Sequence, residues 1–220
     1  MIKSLTQLSL VAGSLTLAIS ATAPAQALTI YTDANGGRAA WEAAITNLGF
    51  NFTTDTFSTN RAEAATITFD SGVVSTGVGG TGSNFISGGR YTGFVETAST
   101  AFPTAYDQIT WTFPTAVVGF AADWFNTASA ARLTVRGNFD GTGNQTVNFF
   151  TQLGSPGDGF LGIVGNAPFS TVVFDTAGGG SESYQADNLS FSTTPIPTPA
   201  LLPGLVGMGL AAWRKRKAEA

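Results

Sequence analysis

Between residues 66 and 192 the chain keeps returning to one pattern, a polar side chain followed by an apolar one. Thr66-Ile67-Thr68-Phe69, Ile109-Thr110-Trp111-Thr112-Phe113, Arg132-Leu133-Thr134-Val135-Arg136 and Leu189-Ser190-Phe191-Ser192 all follow it. Side chains of an extended strand point to its two faces in turn, so this alternation, rich in β-branched and aromatic residues, specifies strands with one buried face. Val117-Val118-Gly119-Phe120 and Thr171-Val172-Val173-Phe174 read as more fully buried strands, and residues 91–95, 147–150 and 160–164 as further strands. Turn residues separate them at short intervals: Asp70-Ser71-Gly72, Asp140-Gly141, residues 154–159 and Gly178-Gly179-Gly180. The glycine-rich stretch 75–90 reads as a long loop. Helical spacing occurs once. Trp41, Ile45 and Leu48 recur at i, i+4 and i+7 over residues 36–48, with Asn35 as cap and Gly49 as stop. Many short strands without helices between them predict a mostly β fold, an antiparallel β-sandwich of jelly-roll type with one short N-terminal helix.

The two ends follow other rules. Lys3 precedes an apolar run over residues 5–19, and Ala25-Gln26-Ala27 follows it. A charged start, a short apolar stretch and a small-x-small site describe a secretory signal peptide, handled by the Sec translocon and cut by signal peptidase after Ala27. At the other end a proline-threonine spacer over residues 195–199 leads into an apolar segment over residues 201–213 and a basic stop, Arg214-Lys215-Arg216-Lys217. Such a segment reaches about 20 Å as a helix against a hydrocarbon core of about 30 Å, so it is an anchor that must tilt, thin the bilayer or lean on a partner. Positive charge stays cytoplasmic, which places the domain outside. The expected division is a signal peptide at 1–27, a β-sandwich domain at 28–194 and a C-terminal membrane-anchoring segment at 195–220.

The domain between them holds thirteen acids against five arginines, a net charge of −8, and no lysine. Nucleic acids and anionic membranes call for a basic surface, so neither is an expected partner of the domain. The chain has no cysteine and no histidine. Ser-His-Asp and Cys-His nucleophilic sites are therefore excluded, and zinc and copper lose their preferred ligands. Paired carboxylates and oxygen-ligated calcium stay open.

Each remaining constellation has a plainer reading beside it. Glu96, Asp107, Asp123, Glu182 and Asp187 could supply a glycosidase pair or be solvated loop acids. Gly77-x-Gly79-x-x-Gly82 has the letters of a dinucleotide fingerprint without the strand-turn-helix context, and reads as a glycine loop. Asp140 to Asn144 resembles half a calcium loop but lacks the EF-hand spacing and its terminal glutamate, and reads as a hairpin turn. Asp187-Asn188 stands at the entrance of the last strand, and Asp55 ends the first strand after the helix. If these strands pair, Asp187 and Asp55 are candidate calcium ligands; the alternative is that Asp187 and Asn188 bond loop backbone. Trp111, Trp124, Tyr91, Tyr106 and Tyr184 offer either core packing or a sugar-stacking platform, with Trp124 and Tyr184 the candidate ligand residues.

Pro197-Thr198-Pro199-Ala200, the apolar run to Trp213 and the basic stop together resemble a PEP-CTERM sorting signal, in a Pro-Thr-Pro-Ala form rather than the commoner Pro-Glu-Pro. The stretches Ala39 to Ala44, Asp55-Thr56-Phe57, Val118 to Asp123, Phe160 to Ile163 and Asp187 to Phe191 are similar to passengers of such tails. The resemblance implies an exosortase-type transpeptidase as partner, transit through the inner membrane, and delivery to the cell surface or extracellular matrix. It implies a β-sandwich passenger and no particular activity. The expectation is a non-enzymatic envelope or matrix protein, with exopolysaccharide as its candidate contact. The alternatives are a carbohydrate-binding module, calcium-stabilised or not, and, more distantly, a carboxylate glycosidase.

Overall fold

Two strands of eighteen residues organise the molecule. The computed structural model describes residues 28–80, 82–97, 105–128, 132–177 and 180–195. The expected signal peptide with Ala25 and Ala27, the motif Pro197, Thr198, Pro199 and Ala200, and the stop Arg214, Lys215, Arg216 and Lys217 lie outside the described residues. Among those described, no helix is long and apolar enough to cross a membrane. The elements are β1 (Thr29–Thr32), a 3-10 turn (Asp33–Asn35), α1 (Gly37–Asn47), β2 (Phe50–Asp55), β3 (Thr66–Thr68), β4 (Val74–Val78), β5 (Asn84–Ser87) and β6 (Arg90–Thr97). They continue with β7 (Gln108–Phe125), β8 (Leu133–Gly137), β9 (Gln145–Asn148), α2 (Phe149–Leu153), β10 (Gly159–Thr176) and β11 (Gly180–Pro195). Every strand pairing is antiparallel, and the pairings join eleven strands in one sheet.

The sheet makes a sandwich because β7 and β10 bend. The first half of β7 pairs with β4 and with the second half of β10, which also pairs with β8. The second half of β7 pairs with β11 and with the first half of β10, which also pairs with β1. The register between β7 and β10 slips on both sides of Phe169, where the two halves meet. Pro114 and Pro168 sit at these corners, where a residue without a backbone N–H does least harm to a ladder. The fold-back is measured by Trp111 and Trp124, thirteen residues apart on one strand. A straight strand would hold them about 43 Å apart; their rings stack at 5.8 Å. They face each other across the core, with Phe174, Tyr184 and Phe149 packed around them. Strands that change layer through bulges are a known way of making sandwich corners.

Helix α1 covers the outer face of the second layer. Trp41 and Ile45 are fully buried there against Val118, Ala121, Phe160 and Val164, and Trp41 Nε1 donates to the Ile163 carbonyl at 3.2 Å. Gly162 makes the approach possible, since a Cβ there would stand 2.6 Å from Trp41 Cδ1. Gly49, at φ +81°, stops the helix as expected.

Several sequence expectations are corrected. The helix cap is Gly36, not Asn35, whose side chain instead bonds Thr32 N and the Ile30 carbonyl within the preceding turn. Leu48 falls past the helix end and is 52% exposed. The stretch 75–90 is no long loop. It carries β4 and β5, and its glycines seat neighbouring side chains: a Cβ on Gly77 would meet the Tyr106 ring at 2.5 Å, and one on Gly79 would meet Asp107. The expected strand 147–150 turns into α2 at Phe149, because the Asn148 side chain caps it by accepting from Thr151 N. The strands expected separately at 109–113 and 117–120, and at 160–164 and 171–174, are the two halves of β7 and of β10. The single continuous sheet takes the place of the jelly-roll detail, while the mostly β antiparallel architecture stands.

Candidate functional site

Pairing of β2 with β11 sets Asp55 opposite Leu189, so the strands carrying Asp55 and Asp187 are indeed neighbours. The two carboxylates nonetheless do not meet. The β11 register against β7 slips by one residue between Asp187 and Ser190, with Asn188 at φ +50°. An extra residue in one strand reverses which face the side chains take. Asp187 therefore shares the outer face with its partner Asp123, while Asp55 shares the inner face with Leu189. Asp55 is buried and accepts from Phe57 N through one oxygen and from Ser71 N through the other, each at 2.8 Å. Asp187 Oδ1 accepts from Asn188 N at 2.6 Å. The Asp187 bond is the backbone role held open beside the calcium reading, and among the described residues no three His, Cys, Asp or Glu side chains gather. Nearby, Arg38 of α1 pairs with Asp123 at 3.1 Å and donates to Ser190 Oγ and the Asn188 carbonyl, while Asn188 Nδ2 donates to Asp123. This network ties the helix to the bulge.

Trp124 and Tyr184 offer no face to a ligand. Both are fully buried, as are Trp111 and Tyr91, and Tyr106 is 4% exposed. The aromatic set is core, which corrects the platform reading. Burial pushes the Tyr91 hydroxyl up to about 12 and raises Tyr184 well above the usual tyrosine value. The other acids are dispersed. Glu182 lies opposite Val95 on the inner side of the β6–β11 pair and Glu96 opposite Ser181 on the other, both buried, and Glu182 accepts from Arg132 N at 3.0 Å. The Asp140 turn satisfies itself: its carboxylate accepts from Thr142 N, Thr142 Oγ1 and Gln145 Nε2, and these bonds hold it below the usual aspartate range.

What the surface does offer is an open groove of about 360 Å³ between residues 60–63 and β5, which composition and periodicity did not point to. Its wall is extended chain laid along the β5 edge. Arg61 N donates to the Ile86 carbonyl at 2.9 Å and Ile86 N to the Arg61 carbonyl at 3.0 Å. Buried Asn84 fastens the next residues, donating to the Ala64 carbonyl at 2.9 Å while its own Oδ1 accepts from Ser75 Oγ and Tyr91 Oη. Arg61 is committed, to the Thr68 carbonyl at 3.1 Å and to Asp70 at 2.8 Å. A hydrogen bond from the Thr59 side chain, with help from Arg61 and against a burial penalty, holds the Asp70 carboxyl below its ordinary value, so at neutral pH Asp70 is a carboxylate. Asn60 Oδ1 accepts from Gly88 N at 3.2 Å, which leaves its amide NH₂ as donor. The groove thus presents the half-buried Phe85 ring, the Asn60 amide, the Glu63 carboxylate and the Ser87 hydroxyl. One ring face beside a few hydrogen-bonding groups suits an amphipathic ligand, and one carboxylate without a partner across the groove does not make an acid-base pair. No family model, curated protein or solved structure matches the chain.

Proposed function

We propose that this chain is a non-catalytic carbohydrate-binding β-sandwich displayed outside a bacterial cell, and that the groove at residues 60–63 and 85–87 is where it meets sugar. One observation carries the reading: the groove sets the Phe85 ring beside Asn60, Glu63 and Ser87. A pyranose has an apolar face that a ring can cover and a rim of hydroxyls that an amide, a carboxylate and a hydroxyl can bond. The net charge of −8 over residues 28–194 favours neutral over anionic glycans. No calcium bridge between Asp55 and Asp187 enters the proposal, since their side chains take opposite faces of the sheet.

Export and sorting belong to the same proposal and rest on the charged start with Ala25-Gln26-Ala27, and on the Pro-Thr-Pro-Ala tail with its basic stop. Affinity electrophoresis of the full chain through neutral and anionic polysaccharides tests the groove. Retardation by a neutral glycan should fall at least tenfold in Phe85→Ala and in Glu63→Gln, and equal retardation of wild type and both variants would sink the assignment. Removal of residues 195–220 followed by cell fractionation tests the sorting. Unchanged delivery to the surface would refute it.

A further inference from the structure

Strands β8 and β10 run side by side only as far as Val173 opposite Arg136. Beyond that point β8 continues against β9, with Gly137 opposite Gln145, and β10 continues against β7, with Thr171 opposite Thr112. The two chains meet again at Phe139, whose carbonyl accepts from Asn166 N at 2.8 Å and Ala167 N at 3.1 Å. Between these closures lies an opening of about 250 Å³ at the edge of the corner. Its rim carries Arg136, Asn138, Asn144, Ser170 and Thr171.

The chemistry of the rim is narrow. Asp175 accepts from Arg136 Nε at 2.7 Å and from its terminal nitrogen at 2.6 Å, and also bonds the Thr134 hydroxyl. The guanidinium is thus neutralised, and a phosphate or sulfate, which needs uncompensated positive charge, has no claim on the site. An apolar ligand would strip water from the exposed amides and hydroxyls of Asn138, Asn144, Ser170 and Thr171 without replacing its hydrogen bonds. An uncharged ligand with several hydroxyls satisfies them, because each of its groups both donates and accepts. The volume lies below the roughly 300 Å³ at which pockets for drug-sized ligands begin, so the fit is to a single ring.

We propose that the opening between β8 and β10 is a second sugar subsite, taking one neutral pyranose residue through Asn138, Asn144, Ser170 and Thr171. This rests on the carbohydrate reading of the protein and adds to it. The β5 groove stands at one end of the strand order and β8–β10 near the other. One domain then holds two glycan segments and crosslinks them, with the gain in avidity that two linked contacts give.

The test is an amide NMR titration of the full chain with three neutral probes, methyl α-glucoside, methyl α-mannoside and methyl β-galactoside, and with glycerol as control. At least one glycoside should shift the signals of Asn138, Ser170 and Thr171. The Ser170→Ala/Thr171→Val double variant should weaken that response about tenfold, the loss expected of two hydrogen bonds. Its unchanged melting temperature would show that the fold is intact, as exposed positions allow. Phe85→Ala should leave the response as it is. Shifts confined to residues 60–63 and 85–87 would overturn the second subsite while the carbohydrate reading stands. No shift at either place would remove both. Equal shifts with glycerol would mean that any polyol fills the opening, and the sugar assignment would be wrong.

Discussion

The interior of this sandwich and its surface divide the aromatic side chains very unequally. The twelve largest fully buried side chains among the described residues are all aromatic, whereas the exposed large hydrophobics are Leu48, Phe52 and Val78, one ring in three. A chain with no cysteine to crosslink it and few helices to cover it holds its two layers together with rings. Pairs such as Trp111 with Phe174 at 4.7 Å and Trp124 with Phe149 at 4.8 Å meet edge to face, the favoured geometry. An abundance of tryptophan and tyrosine in a β-rich sequence is therefore a statement about packing first. The open surface lies instead where the sheet edge and the corner part.

The sharpest way to break that contrast is Trp124→Ala. It empties the middle of the core and should cost about 3–5 kcal/mol. At about 2–4 °C per kcal/mol for a domain of this size, thermal melting should fall by about 6–20 °C. A loss under 1 kcal/mol would mean that Trp124 is not the packing centre described here. A second prediction uses pH. Tyr91 and Tyr184 have folded values raised by burial, so the stability they contribute is complete below the ordinary tyrosine value and is lost as pH rises through the folded ones. Absorbance at the tyrosinate band should show both ionising only with unfolding, at and above about pH 12 for Tyr91. Titration of all four tyrosines near pH 10 in the folded state would contradict their burial. The smallest effect belongs to the surface. Phe85→Ala should lower stability by less than the ~3–5 kcal/mol of a fully buried ring, since Phe85 is only partly buried, while abolishing most glycan retardation.

Strand positions were largely legible because alternation is a direct image of a half-buried strand. The pairing of β2 with β11 was legible too, as a conditional. The corners were not. Pro114 and Pro168 look like punctuation between strands, and a sequence pattern does not distinguish a chain that bends from one that stops. The glycines of β4 misled for a similar reason, since Gly77 resembles loop composition until the Tyr106 ring that rests on it is seen. Asp55 and Asp187 stand on paired strands, as the calcium reading required, while Asp187 bonds backbone, as its alternative held. The single residue that separates their faces, Asn188, carries no signal beyond its tolerance of a left-handed backbone. The β5 groove escaped altogether, because Asn60, Glu63, Phe85 and Ser87 converge only through the lateral bonds of Arg61 to Ile86.

Strand β11 also sets a schedule. It is the last strand among the described residues, yet it lies inside the sheet, with β7 on one side and β6 and β2 on the other. A polypeptide that emerges N-terminus first presents β2, β6 and β7 long before residues 180–195 exist to bridge them. Until then their facing edges remain unpaired, the condition in which strands recruit the wrong neighbours. The sheet is complete only once residues 180–195 lie between β7 on one side and β6 and β2 on the other. A chain that stops before residue 180 would keep the β7–β10 pairing and leave β2 and the β5–β6 pair without the strand that joins them to β7.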